Sequence, residues 1–360
     1  MRRGIASFPP FLEANPYRSL LYRELGERGF PLVPTLRLRL RWLWRERRSV
    51  GFLHFHWPEG YWRHDRGRES LRIPLSHVRL WLYGSRLLAA RALGYRIVWT
   101  IHQVYPHERG DRRLDRQGAR LLARLSHHLI AHDAATAEAA RAELGVRSRS
   151  IEILPHASYV GVYPSGRSRR SVREELGLGD DQFVFLSFGN LRAYKRLDLL
   201  FEAFQAFSLP RAALVVAGEA SDPAEGERVL AAAGADPRVR PLLGRIGDER
   251  VAELHAASDV AVLTRSDSGT SGALVLALSL GVPVIAARTR IAEEQTGGGR
   301  AGWLFEPDDA GSLRSALEDA AAAEPGTLAA KGTAGLDSAA RLSWPAIGER
   351  TAELLARRRR

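Results

Sequence analysis

The chain has 360 residues, 45% of them hydrophobic and 26% charged, proportions that exclude wholesale disorder and leave room for two domains with separate cores. It contains no cysteine, which excludes disulfides, thiolate metal sites and a cysteine nucleophile and fits a reducing compartment. The net charge of +12 is unevenly spread: residues 1–170 hold 31 Lys and Arg against 14 Asp and Glu, the remainder 22 against 27, so the N-terminal half alone calls for an anionic partner.

At the N-terminus, Met1-Arg2-Arg3-Gly4-Ile5-Ala6 runs into Pro9-Pro10 instead of an apolar segment, so no signal peptide is expected. No stretch approaches the roughly 20 uncharged apolar residues of a spanning helix. The expectation is a cytoplasmic protein, held peripherally at a membrane if its basic half meets anionic lipid. Beyond an alanine-rich piece near 319–330 and the terminal run of four arginines, short β-rich runs alternate with helical segments. That is the pattern of parallel α/β sheets.

Asn15-Pro16-Tyr17 starts a helix that ends near Gly29, proline being at home in a first helical turn. Residues 36–45 alternate leucine and tryptophan with arginine. As a strand they have one apolar and one cationic face; as a helix they scatter both, and in either form Trp beside Arg suits a lipid headgroup boundary. Phe52-Leu53-His54-Phe55-His56-Trp57-Pro58-Glu59 reads as a strand that delivers His56 and Glu59 at its end. After a helix over 71–93, the strand from Tyr95 to Ile101 stops at His102-Gln103-Val104-Tyr105-Pro106-His107-Glu108. Two successive strands thus bring His and Glu to one sheet edge, where open parallel sheets gather functional side chains. A helix near 112–126 leads to a third strand end at His132-Asp133, a helix follows over 134–144, and Ile151-Glu152-Ile153-Leu154-Pro155-His156 closes the N-terminal half as a strand running into the interdomain region. His54 and His56 share a strand face, but no third ligand is specified, so no metal site is expected.

Boundaries are set at 1–165 for a first domain, 166–180 for an arginine-rich linker begun by Gly166, 181–342 for a second domain and 343–360 for a final helix that crosses back to the first. The second domain opens on the strand Phe183–Phe188, then Gly189, Arg192 and Lys195 before a helix at Leu197. A glycine turn with two cations at a helix start is an anion-binding arrangement. Lys195 is one of two lysines in an arginine-dominated chain, which singles it out. Strands at Leu214–Gly218, with Glu219 in the turn, at Val239 and at Asp259–Arg265 follow. The last feeds the loop Asp267-Ser268-Gly269-Thr270-Ser271-Gly272, an apolar helix ending at Gly281, and the run from Pro283 to Ala286. Hydroxyls and amides of such a loop at a helix start suit a phosphate. Further helices are read at 309–323 and 343–356.

This last stretch resembles the donor-binding helix and Gly-x-Pro-Val turn of GT-B glycosyltransferases, above all the bacterial group 1 or family 4 enzymes. The turn from Gly189 to Lys195 resembles their Gly-x-x-x-x-x-Lys element. His54-Phe55-His56-Trp57-Pro58 and the run from Thr100 to Glu108 resemble motifs of a bacterial subgroup. The resemblance implies two Rossmann-like doubly wound α/β domains facing across a cleft, and an enzyme moving a sugar from a nucleoside-diphosphate donor, GDP-mannose or a UDP-sugar, to a lipid-linked or polysaccharide-precursor glycan. It implies that Gly189, Arg192, Lys195, Glu219, Thr270, Ser271 and Gly272 hold the donor and need no cofactor or metal. Asn15, Tyr17, His56, His107 and His156 then face the acceptor, and Glu59, His102, Glu108 and Asp133 are candidates for the base.

The retaining enzymes usually carry two glutamates on the donor helix, where this chain has Ser268 and Leu276; the departure favours inversion. Two other readings are weighed, a GT-B relative that binds nucleotide without transfer and a basic nucleic-acid-binding protein. The chain has no helix-turn-helix, zinc or base-stacking signature, so no nucleic acid is expected.

Overall fold

The computed structural model describes residues 4–9, 16–35, 37–64, 69–105, 110–146, 151–164, 166–266 and 269–357. Two compact units divide the chain, one made of residues 1–156 with 344–360, the other of 157–343.

The first unit contains β1 (Gly4–Phe8), α1 (Pro16–Glu27), α2 (Leu40–Glu46), β2 (Val50–Phe55), α3 (Glu69–Ala92), β3 (Arg96–Ile101), α4 (Arg112–Leu125), β4 (His128–Ala131), α5 (Ala134–Leu144) and β5 (Ile151–Ile153). Its strands form a parallel sheet in the order β1-β2-β3-β4-β5. A bridge from Ile5 to Leu32 extends the sheet beyond β1. The chain therefore leaves β1 on one side and resumes with β2 on the other, which makes the carboxyl ends of β1 and β2 a topological switch point. Residues of β2 and β3 are almost wholly buried, as expected of parallel strands covered on both faces. The segment over 36–45, open between strand and helix in the sequence, becomes α2. Only Leu43 of that helix is buried, because the arginines on either side of it keep the rest in water. After β2 a 3-10 turn (Pro58–Tyr61) is fastened by Asp115 of α4, which accepts from Trp62 Nε1 at 3.0 Å and from Arg63 Nη2 at 2.6 Å.

The second unit contains α6 (Arg169–Glu175), β6 (Phe183–Phe188), α7 (Leu197–Gln205), β7 (Ala212–Gly218), α8 (Pro223–Ala235), β8 (Val239–Leu243), α9 (Asp248–Ala257), β9 (Val260–Leu263), α10 (Gly272–Ser279), β10 (Val284–Ala287), α11 (Arg290–Thr296), β11 (Gly302–Phe305), α12 (Ala310–Ala321) and α13 (Pro325–Ala340). Its sheet is parallel in the order β11-β10-β9-β6-β7-β8. This is the Rossmann order, with the reversal between β6 and β9. The segment 166–180 carries α6 and is part of this unit. Arg173 is 2% exposed and donates to the carbonyls of Ala257 and Gln182 and to the Asp259 carboxylate, so an arginine-rich stretch with the composition of a linker is fixed by one buried guanidinium. The alanine-rich piece is split between α12 and α13. Finally, α14 (Trp344–Ala356) belongs to the first unit: Arg28 Nη2 donates to Pro345 O at 2.9 Å, and the Trp344 ring lies 5.5 Å from that of Tyr17.

Candidate active site

In the second unit, the site begins where β6 ends. Gly189 has φ 97° and Gly218, at the end of β7, has φ 151°, and a Cβ on Gly218 would stand 2.2 Å from the Gly189 carbonyl oxygen. Only glycine lets these two turns pack backbone to backbone. The chain then makes a 3-10 turn (Ala193–Lys195), and Lys195 Nζ folds back to donate to Phe188 O at 2.8 Å. From the neighbouring strand β9, the Thr264 hydroxyl donates to the Lys195 carbonyl. Lys195, Thr264, Arg265 and Ser271 border one small cavity, at the crevice between β6 and β9 where doubly wound sheets bind ligands.

Burial, reinforced by the charges of Arg265 and Arg192, pushes the Lys195 ammonium down to about 7. Such crowding of cations is unfavourable by itself and is relieved by an anion. Ser271 caps α10, its Oγ accepting from Leu274 N at 3.3 Å, so the positive end of that helix opens beside Arg265. Arg192 Nε donates to Ser221 Oγ at 3.2 Å. Gly272 is exposed, Thr270 half-buried, and Glu219 stands exposed just past β7. Arg265 was not among the residues read as ligands. Its signal was there, a cation just beyond a buried strand, but only the sheet order places that strand against β6. Leu276 is buried in the core of α10; Ser268 lies outside the described residues.

In the first unit, the carboxyl ends of β2, β3 and β4 and the segment beyond β5 bring His54, His56, His102, His132 and His156 together with Tyr17 and Tyr22 of α1. The register pairs His54 with Val98, so Thr100 two residues on shares its face. His54 Nε2 meets Thr100 Oγ1 at 2.8 Å, and His54 Nδ1 meets Tyr22 Oη at 3.0 Å. Tyr22 Oη meets His56 Nε2 at 2.8 Å, and His56 Nδ1 meets His102 Nε2 at 3.1 Å. A neutral imidazole has one N–H and one bare nitrogen. The chain Thr100–His54–Tyr22–His56–His102 can therefore run with its donors pointing one way or the other, and His102 Nδ1 is bare in one direction and protonated in the other. Thr100, His54, Tyr22 and His56 are buried, whereas His102 is half-buried. The chain opens at His102, whose ring stacks on Trp57 at 4.3 Å.

Burial holds every imidazole of the chain neutral, with help from neighbouring histidines and Arg18. His54 is pushed down to about 3, and His56 and His102 fall well below the ordinary histidine value. Burial also lowers His132. Its Nδ1 donates to Leu154 O at 2.9 Å, which leaves a bare Nε2 that is buried with no hydrogen bond among the described residues. Tyr17 lies against this group, 5.2 Å from the His102 ring and 4.9 Å from that of His156.

Among the proposed bases, Asp133 is occupied as the cap of α5, accepting from Thr136 N at 2.6 Å and Thr136 Oγ1 at 2.9 Å. Glu59 sits in the 3-10 turn, where its charge helps keep the buried Tyr83 hydroxyl protonated. Asn15, His107 and Glu108 lie outside the described residues. No group of three His, Asp or Glu among the described residues is arranged to hold a metal.

Two family models match parts of the chain: glycosyl transferases group 1 matches residues 168–330, and glycosyltransferase family 4 matches residues 68–157. A GDP-mannose:glycolipid 4-beta-D-mannosyltransferase of Xanthomonas campestris pv. campestris is 28% identical over 347 residues, covering 94% of this chain and 87% of the relative. In fold the chain is similar to the Anabaena protein HepE in complex with UDP-glucose, with TM-score 0.76 and 16% identity over 98% of this chain and 99% of that one. It is similar too to the sucrose-phosphate synthase of Thermosynechococcus elongatus, with TM-score 0.75 and 17% identity over 98% of each chain. A Rossmann-ordered second unit with cations at its switch point, a parallel first unit, and a glycosyltransferase family model matching part of each lead to one conclusion: the chain is a glycosyltransferase of GT-B fold that draws on a nucleotide-sugar donor, similar to the group 1 enzymes.

Proposed function

We propose that the enzyme transfers a mannosyl residue from GDP-mannose to a hydroxyl of a lipid-linked glycan, with inversion and without a metal, at a membrane surface that its basic first unit attracts. The observation that carries the donor half is the convergence of Arg192, Lys195 and Arg265 at one crevice, where burial, and after it the two guanidinium charges, lower Lys195 to about 7. Three cations and the start of α10 supply the charge that a departing diphosphate needs, which a metal supplies elsewhere. The Xanthomonas relative supports GDP-mannose as donor and a glycolipid as acceptor.

In this reading His102 is the base. With Nδ1 bare and Nε2–H donating to His56, it takes the proton of the acceptor hydroxyl as that oxygen bonds to the anomeric carbon and the bond from carbon to the diphosphate oxygen breaks. The chain behind it shares the new positive charge with His56 and Tyr22. Arg192, Lys195, Thr270, Ser271 and Gly272 serve the donor, with Gly189 and Glu219 shaping its pocket, while Tyr17, His56 and His156 line the acceptor side.

The test is thermal stabilisation by GDP, UDP, dTDP and ADP, followed by nucleotide release from the matching mannose and glucose donors in EDTA. Stabilisation by GDP, with release of GDP once a lipid-linked glycan is added, is expected. A shift with UDP alone would overturn the donor assignment, and binding without turnover on any acceptor would overturn the transferase.

A further inference from the structure

The first unit holds another cavity, of about 640 Å³, that borders the histidine chain through Trp57. Its walls come from Arg37 and Arg39 ahead of α2, Trp57 and Tyr61 after β2, and Arg79 and Arg86 of α3. That volume is in the range of small-molecule sites. The helical period explains how α3 contributes. Ser76, Tyr83, Leu87 and Ala90 form its buried stripe. Arg79 and Arg86, seven residues apart, share the next stripe. A third stripe presents Val78, Trp81 and Leu88 to solvent at 54%, 71% and 57% exposure.

No carboxylate is among the described residues that line the cavity. The ion pairs described in this unit go to other arginines, namely Arg23, Arg28, Arg45, Arg63, Arg116 and Arg357. Two donors at its wall are unspent: Arg79 Nε and Tyr61 Oη are buried without a hydrogen bond among the described residues, although Arg79 Nη2 donates to Gly60 O at 2.5 Å. Four guanidinium groups around one open cavity repel one another, and buried donors left unmade are costly. A ligand with two adjacent phosphates satisfies both, because each fork of a guanidinium matches a pair of phosphate oxygens. Beside the cavity, Leu40 and Trp44 of α2 are 54% and 60% exposed, and the Arg47 guanidinium lies 3.8 Å over the Trp44 ring. Exposed Trp and Leu among arginines is the composition of a surface that rests at a bilayer interface.

We propose that this cavity is the binding site for the diphosphate of a prenyl-diphosphate-linked acceptor, with the exposed stripes of α2 and α3 seated in the bilayer that carries the prenyl chain. The inference rests on the lipid-linked-acceptor reading and adds to it the chemistry and the place of the lipid end.

Flotation of the full-length protein tests it without donor. Neutral phosphatidylcholine vesicles carry either decaprenyl diphosphate, decaprenol, or phosphatidylglycerol matched in charge to the diphosphate. The wild type is expected to bind the diphosphate vesicles at least tenfold more tightly than either of the others. Arg79→Ala/Arg86→Ala, and separately Arg37→Ala/Arg39→Ala in the segment ahead of α2, lose at least tenfold of that binding. Arg170→Ala/Arg228→Ala, exposed cations of the second unit, keeps it. Equal binding to charge-matched phosphatidylglycerol, or full binding by both cavity variants, overturns the site. Transfer to a water-soluble glycan without the lipid separates this inference from the enzyme reading. The cavity variants keep wild-type kcat on it if the cavity serves only the diphosphate, and a loss there equal to that on the lipid acceptor overturns the assignment. Diphosphate binding in a protein that transfers to no acceptor would sink the transferase and leave the cavity standing.

Discussion

Two sheet edges in this protein carry opposite electrostatics. At the carboxyl ends of β6 and β9, Arg192 and Arg265 concentrate positive charge around Lys195, which burial first and these guanidiniums second lower to about 7. At the ends of β2 to β4, His54, His56, His102 and His132 are kept neutral by burial. Both edges use the same device, a parallel sheet that stops its strands in register. On the proposed reading the first receives an anion that arrives with its charge, whereas the second takes up a proton that must be moved. A fixed charge stabilises a leaving group best when it cannot relax, and a histidine base must be uncharged before it can take a proton.

The sharpest way to break this contrast is His102→Ala. We expect kcat to fall by about 10² to 10⁴ with nucleotide affinity unchanged, as read from steady-state rates beside calorimetric titration; a parallel loss of donor affinity would place His102 with the donor. Lys195→Ala should cost about 10² to 10³ in kcat/KM and weaken nucleotide binding, and Lys195→Arg should not restore it, because the planar fork cannot replace a point ammonium folded onto Phe188 O. Intact binding in the alanine variant would move the diphosphate elsewhere.

Acid separates the edges by stability. An unfolded chain takes up protons on histidine below its usual value near 6.5, while the folded first unit, with His54, His56, His102 and His132 depressed, does not. Stability is therefore flat above that value and falls as pH drops below it, approaching about 1.4 kcal/mol per pH unit for each of the strongly depressed His54, His56 and His102. Chemical denaturation at pH 7, 6 and 5 measures the fall, and a level profile would refute a neutral cluster.

A smaller effect probes the cationic edge. With Lys195 at about 7 in the free enzyme and raised by a bound diphosphate, nucleotide binding takes up a proton above pH 7. Affinity then improves about tenfold from pH 8 to pH 6 and levels off below. Titration in buffers of different ionisation enthalpy reads the proton directly. The smallest change expected is in Asp133→Ala, which removes the cap of α5 and costs about 1 kcal/mol of stability with kcat retained. A collapse of kcat in a folded Asp133→Ala protein would return Asp133 to the list of bases.

How much of this was legible in the sequence varies by level. The order of strands and helices, the glycine turn before Lys195, and the delivery of histidines to strand ends all follow from local patterns. Periodicity and glycine placement are short-range properties, and strand ends in parallel sheets have a shared fate. The oddity of a lone lysine among arginines was visible as well. α13 was missed because alanine and glycine give a weak amphipathic signal, and α6 because an arginine-rich segment has the composition of a linker whether or not one guanidinium is buried.

The sequence by itself determined an alternating α/β chain, a glycine turn followed by two cations at Gly189–Lys195 and a basic first half, since these depend on residue type and spacing alone, while the GT-B type rested on resemblance. Only the tertiary structure decided that β9 lies against β6, which makes Arg265 a partner of Lys195 across 70 positions. It alone threaded Tyr22 between His54 and His56 and curved four separated arginines around one cavity. Sheet order and the direction of a buried side chain are set by packing among distant segments, and no local pattern of residues carries that information.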